Sequence, residues 1–227
     1  YEMGASDPSW LEAVNVAGAG NVFAAATDAG IPVVHTSSVT AYGPTGPSPE
    51  SESYWSTAAP ASAYERTKRE AHELARSVNA AGGDIRIGAP GGVYGAGDTS
   101  TLGRMMKLYM TVPMPIVAFR DAAQSLVHVD DCADALLRIA TDGGRGAEYL
   151  LVAEHVSMKD WIDAMVAAVD KPKPLWYIPD ALVARLAGLV EWGVHAAGGP
   201  HEMIHEYVAT AVRSYAYSGA KARQELG

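Results

Sequence analysis

The sequence predicts an α/β fold on a doubly wound parallel sheet, with a smaller, mainly helical lobe beside it. Two observations carry this prediction. Short runs of β-branched and apolar residues, such as Ile31-Pro-Val-Val-His-Thr-Ser37, alternate with longer stretches of helical periodicity, the pattern of strand–helix–strand units. Those runs are near-continuous rather than alternating in polarity, as in strands covered on both faces. At 227 residues and 48% hydrophobic, the chain is long enough to bury a substantial core.

Each element follows from its residues. Leu11 to Ala29 carries small and apolar residues at helical spacing and stops at Gly30. Ile31 to Ser37 is a buried strand. Thr40 to Pro60, rich in Pro, Ser, Gly and Glu, is loop. Ala63 to Ala81 is a helix of mixed charge closed by Gly82-Gly83, and Asp84 to Ala89 is the next strand. Pro90 to Gly97 holds four glycines and reads as a turn-rich loop. Thr101 to Met110 is helical and Ser125 to Val129 is a strand. Asp130 to Thr141 is a helix with Asp130 or Asp131 near its N-terminus, where the helix dipole favours a carboxylate. Glu148 to Val152 is a strand, and Ser157 caps a helix running to Val169. Lys171-Pro-Lys-Pro174 then separates it from a helical C-terminal region.

Composition excludes several functions. The formal charge is −9, from 26 acidic and 17 basic residues, and no basic cluster exists. That balance argues against nucleic acid and against an anionic membrane surface as partners. The single cysteine, Cys132, rules out an internal disulfide framework and reads as a buried thiol; it fits a reducing, cytoplasmic setting. No stretch reaches the ~20 apolar residues of a membrane span. The nearest approach, Ala181 to Gly199, is interrupted by Arg185, Glu191 and His195 and reads as an amphipathic helix. Tyr1 opens no signal-peptide pattern.

Chemistry concentrates in Ser38 and in Tyr64-Glu-Arg-Thr-Lys68. Tyr and Lys four residues apart share one helix face, so the ammonium is placed to lower the phenol pKa. A hydroxyl delivered from a strand end can hold a carbonyl oxygen. Tyr-x-x-x-Lys alone is short enough to arise by chance, but its context is specific. A strand ends in Thr36-Ser37-Ser38-Val-Thr-Ala-Tyr42-Gly43, the pair opens the next helix, and a strand with a glycine loop follows.

Through these stretches the chain resembles the extended short-chain dehydrogenase/reductase family, which includes sugar-nucleotide epimerases, dihydroflavonol-type reductases and 3β-hydroxysteroid dehydrogenases. Asn15-Val-Ala-Gly-Ala-Gly-Asn-Val22, Pro90-Gly-Gly-Val-Tyr-Gly-Ala-Gly97, His128-Val-Asp-Asp-Cys-Ala-Asp134 and Lys221-Ala-Arg-Gln-Glu-Leu-Gly227 match as well, in the family's order. The resemblance implies a Rossmann-like fold, NAD or NADP as cofactor, and a homodimer formed by the helices at Leu11–Ala29 and Ala63–Ala81. It implies that residues 1–92 and 125–153 are the remainder of the dinucleotide-binding domain, and that 93–124 and 154–227 form the substrate lobe. Tyr64 would exchange a proton with the substrate oxygen, and Lys68 would bind the nicotinamide ribose and keep the phenol acidic. Ser38 would hold the substrate oxygen and Asn15 would help order the site. Thr36, Ser37, Pro90, Gly91, Gly92 and Val93 would lie beside the nicotinamide.

Two departures qualify the likeness. Members begin with a strand, a Gly-x-x-Gly-x-x-Gly turn and a helix that takes the pyrophosphate, whereas Tyr1 falls where roughly the first third of that fold should be finished. Gly18 and Gly20 sit inside a helical pattern and do not replace the turn. The expectation is an incomplete chain that lacks the N-terminal part of its cofactor domain. Sugar-nucleotide members also place Asn before Val-Tyr-Gly, where this chain has Gly92, and Arg86, Arg104 and Arg120 are scattered rather than clustered. The expected reaction is therefore hydride transfer with a small, apolar carbonyl or secondary alcohol, and a nucleotide-sugar epimerase or dehydratase is the alternative. Trp176, Tyr177, Leu182, Leu186, Leu189 and Trp192 are expected either to line a hydrophobic pocket or to pack as core.

Rival readings are a zinc hydrolase and a non-catalytic interaction module on a degraded dehydrogenase fold. The first rests on His201-Glu-Met-Ile-His205 with Glu225 downstream. Pro200 and Glu206 flank that motif unfavourably, and the expectation is no bound metal.

Overall fold

The computed structural model describes residues 9–186 and 212–227. Three parallel strands, β1 (Val33–Thr36), β2 (Ile85–Pro90) and β6 (Glu148–Leu151), form the main sheet in the order β1-β2-β6. Val33 pairs with Ile85, and Ile87 with Glu148. Helices cover both faces, as near-continuous apolar strands require. On one face Ile85 and Ile87 pack with Phe23 of α2 (Ala19–Ala29) and Ala75 of α4 (Ala63–Ala80). On the other, Cys132 and Ile139 of α6 (Val129–Thr141) pack with Tyr149 and Leu151. Gly88 makes this second layer possible, because a Cβ there would stand 2.7 Å from Leu136 Cδ2.

The expected elements recur with local differences. The stretch expected as one helix from Leu11 to Ala29 is divided: α1 (Ser9–Glu12), a π-helical segment (Ala13–Gly18) and α2. Gly30 ends α2 in the left-handed conformation, φ 67°, which costs glycine nothing. Within the expected Thr40–Pro60 loop, α3 (Val39–Tyr42) closes one turn on a Ser38 cap. Pro90 to Gly97 is not only turn: Gly92–Tyr94 forms β3, paired in parallel with β5 (Ala123–His128). Glycine content suggested a turn, and pairing with β5 supplies what local propensity lacks.

β5, expected among the strands of the parallel sheet, instead joins β3 and β7 (Glu154–Ser157) in a second sheet, antiparallel to β7. β4 (Ile116–Val117) and β8 (Trp176–Tyr177) make a small two-stranded ladder. Against the second sheet pack α5 (Thr101–Thr111) and α7 (Met158–Ala168), sharing Leu126, Met158, Trp161, Ile162, Met165 and Val166 as core. Ser100, Ser157 and Ser62 cap α5, α7 and α4 through their hydroxyl oxygens. Among the described residues no helix is long and apolar enough to cross a membrane.

Candidate active site

The site begins where β1 runs out. Ser37 N–H donates to the Gly88 carbonyl at 2.8 Å, the last rung of the β1–β2 ladder. Ser38 is extended and caps α3, its Oγ accepting from Thr40 N–H at 3.2 Å and from the Thr40 hydroxyl at 3.0 Å. Tyr64 lies in the first turn of α4, and its hydroxyl is hydrogen-bonded to Ser38. Two donors therefore occupy the lone pairs of Ser38 Oγ, and the single Ser38 proton is directed at the phenol oxygen. One turn further along α4, Lys68 Nζ donates to the Thr36 carbonyl at 3.1 Å and stands 6.0 Å from the Tyr64 ring centre.

These groups form one wall of a cavity of about 530 Å³. Pro90, Gly91, Gly92 and Val93 form its floor, where the chain passes from β2 into β3. Gly91 is pressed against β5: a Cβ there would lie 2.4 Å from the Ser125 carbonyl oxygen. The opposite wall is apolar, made by Leu102, Met105 and Tyr109 of α5, Met158 and Trp161 of α7, and Phe119. Phe119 has φ 62°, rare for a bulky side chain.

Thr36, Ser37, Ser38, Tyr64, Lys68 and Pro90 to Val93 all border this one cavity. Asn15 does not. It sits in the π-helical segment, donates to Thr67 Oγ1 at 3.0 Å, and borders a separate groove with His35, Thr36 and Lys68. Lys68 was expected to acidify Tyr64, but burial pushes the phenol above its ordinary value, with the Ser38 hydrogen bond working against that rise. The ammonium is turned to Thr36, and burial lowers its own pKa. Of the residues expected to line a pocket or to pack as core, Tyr177 packs against the core of the second sheet and donates to Asp163 Oδ1 at 2.6 Å. Pairing with β4 instead carries Trp176 to the surface, 71% exposed, and Leu182 and Leu186 are exposed. Leu189 and Trp192 lie outside the described residues, as does His201 to His205; Glu225 accepts from the Tyr149 hydroxyl. Arg86 is held by Asp84, Arg120 by Asp121, and Arg104 donates to Thr101. Cys132 is buried and unpaired, its thiol pushed up by burial. Sequence reasoning missed Thr40, although a hydroxyl two residues after a capping serine is a recognisable turn signal. Nothing local marked Phe119.

Parallel strands covered by helices on both faces, with polar side chains gathered at the strands' carboxyl ends, define a Rossmann-like α/β protein. The sequence model of the NAD dependent epimerase/dehydratase family matches residues 3–151, and the chain belongs to that family. Solved structures share the fold. That of gox2253 is 24% identical with a TM-score of 0.81, over 100% of this chain and 70% of its own. A nucleoside-diphosphate-sugar epimerase from Pseudomonas aeruginosa is 24% identical with a TM-score of 0.72, over 100% and 75%. The dTDP-glucose 4,6-dehydratase from Bacillus anthracis, in complex with NAD, is 16% identical with a TM-score of 0.69, over 98% and 64%. No curated protein matches the chain.

The donor set suits the nicotinamide–ribose end of such a cofactor. An ammonium has three protons, and Lys68 gives one to Thr36, leaving two to reach ribose hydroxyls. Pro90 to Val93, two of them without side chains, border the same cavity as Tyr64.

Proposed function

We propose that this chain is the catalytic and substrate-binding part of an NAD- or NADP-dependent oxidoreductase that interconverts a carbonyl and a secondary alcohol on a small, apolar substrate. The observation that carries the proposal is the Ser38–Tyr64 hydrogen bond, with Lys68 one turn away, opening onto a cavity whose far wall is apolar. The bound nicotinamide supplies or accepts the hydride. Lys68, with Thr36 and Ser37 behind it, would hold the ribose, and Pro90 to Val93 would border the ring.

The protein's own residues handle the proton. In reduction the substrate oxygen takes the place of the phenol as acceptor of the Ser38 hydroxyl, which stabilises negative charge as it grows there. Tyr64 then donates its O–H to that oxygen; burial keeps the phenol protonated and ready for this step. In oxidation Tyr64 takes the proton back, and the Ser38 hydroxyl favours the phenolate. The apolar wall excludes water from the exchange. In this reading residues 1–92 and 125–153 serve the cofactor, while 93–124 and 154–227 serve the substrate.

A nucleotide-sugar epimerase or dehydratase is the second reading, favoured by the family match. Against it, Lys68 is the one charged side chain bordering the cavity among the described residues. A diphosphate calls for more cations, and elimination of water calls for an acid beside the base. The test is oxidation of NADH or NADPH, followed by absorbance, with a panel of apolar ketones and aldehydes. Tyr64→Phe, which keeps the ring and removes the proton, should lower kcat by about 10²-fold or more while leaving the fold intact. A near-normal rate in that variant would sink the mechanism. Epimerisation of a nucleotide sugar without net cofactor oxidation would instead establish the second reading, and failure of the protein to bind nicotinamide cofactor would favour a non-catalytic module.

A further inference from the structure

Behind Ser37 a line of polar side chains runs through the core, away from the cavity. Ser37 Oγ lies 2.8 Å from Nδ1 of His72, which is fully buried. His72 Nε2 lies 3.2 Å from Oε2 of Glu148, at the start of β6. Arg76 grips both oxygens of Glu148, each at 2.6 Å, and Tyr42 donates its hydroxyl at 2.8 Å. The rings of Tyr42 and Trp55 flank the imidazole at 4.8 and 5.3 Å.

Proton accounting fixes the direction of every bond in this line. Burial acts to raise the Glu148 carboxyl, but Arg76 and the other donors hold it well below the usual carboxylate range, so it is ionised and can only accept. His72 Nε2 must then carry the hydrogen. Burial lowers the His72 pKa and outweighs the Glu148 contacts that raise it, which keeps the ring neutral. A neutral ring protonated at Nε2 has a bare Nδ1, and the Ser37 hydroxyl donates to it. The two adjacent serines thus point their protons in opposite senses, Ser37 into the core and Ser38 at Tyr64.

We propose that His72 is a positioning residue: by accepting the Ser37 proton it fixes the end of β1, so that the Thr36 carbonyl meets Lys68 and the Ser38 hydroxyl meets Tyr64. Three consecutive residues are each held by a different partner, and His72 holds the middle one from behind. Its kinetic consequence rests on the oxidoreductase reading; its proton arrangement does not.

Amide substitutions separate the two ends of the imidazole. His72→Asn places an amide oxygen near the Nδ1 position and keeps an acceptor for Ser37. His72→Gln reaches toward Glu148 and abandons Ser37. His72→Gln and Ser37→Ala should each lower kcat about tenfold with little change in the KM of the carbonyl substrate, and together do no worse than either alone. His72→Asn should recover most of the rate. Equal loss in the Asn and Gln variants, or additive loss in the double variant, would overturn the proposal. Long-range ¹H–¹⁵N spectra of histidine-labelled protein supply a test that needs no turnover. They should show the Nε2–H tautomer, with an Nδ1 resonance that moves in Ser37→Ala. An imidazolium, an Nδ1–H tautomer or an unmoved resonance would overturn it. Absence of carbonyl turnover in the unmodified protein, alongside the expected spectrum, would count against the oxidoreductase reading alone.

Discussion

Tyr64 and Ser38 form a pair whose proton has a direction, and both were legible in the sequence because their chemistry depends on residue type and spacing. Asn15, whose position in the chain resembles a family motif, donates to Thr67 of α4 and stands outside the cavity that Ser38 and Tyr64 border. His35 is a second residue with consequences, although no motif singles it out. Its pKa is pushed down to about 4, chiefly by burial, with the nearby Lys68 and His72 adding to the effect. Its Nε2 is buried without a hydrogen-bond partner among the described residues. An unfolded histidine titrates near 6.5, so on acidification the unfolded chain gains this proton first. The native state therefore loses stability as pH falls from about 6.5 to about 4, and His35 adds no further loss below that. Thermal midpoints measured across this range should decline on acidification. His35→Phe, whose ring can meet the edge of Phe23 as the imidazole does, should make the decline shallower; an unaltered slope would refute the assignment.

At the scale of the element, α4 determines where Tyr64 stands. Ser62 accepts from Glu65 N–H at 3.2 Å, and the Glu65 carboxylate reaches back to accept from Ala61 N–H at 2.7 Å, so the start of the helix is tied to the chain that enters it. Ser62→Ala should cost about 1 kcal/mol in stability. Because Tyr64 lies in that turn, kcat should fall in the same variant, and a denaturation midpoint and a rate measured on one preparation check both. A loss of stability with no loss of rate would show that the turn does not depend on its cap. Helices α4, α5, α6 and α7 were readable because periodicity and capping residues lie within a few positions of each other. The π-helical segment at Ala13–Gly18 and strand β3 were not. One extra residue in a helix leaves periodicity nearly intact, and β3 exists through its pairing with β5, some thirty residues away in sequence.

Across the whole molecule, the parallel sheet was predictable because its strands are short, mainly apolar runs alternating with helical periodicity, whereas the second sheet required long-range pairing that no local run announces. The apolar wall was not assigned to α5 and α7 for the same reason, and the outward turn of Trp176 follows from the β4–β8 ladder. The wall should select substrates by polarity. Met105→Gln changes a thioether for an amide of similar length and should raise the KM for an apolar ketone about tenfold, roughly 1.4 kcal/mol, with kcat little changed. Steady-state kinetics with a matched pair of apolar and hydroxylated ketones would check this; no change in their ratio would exclude Met105 from the substrate's path.

The two walls of the cavity come from separate stretches of chain. Ser38, Tyr64 and Lys68 lie before the Gly91 floor in the sequence, while Leu102, Met105, Tyr109, Phe119, Met158 and Trp161 lie after it. Between them position 91 is nearly immutable, since any side chain there collides with the Ser125 backbone. On the function proposed above, substitutions in α5, α7 and the Phe119 turn can change the substrate while the wall that carries Ser38, Tyr64 and Lys68 stays as it is.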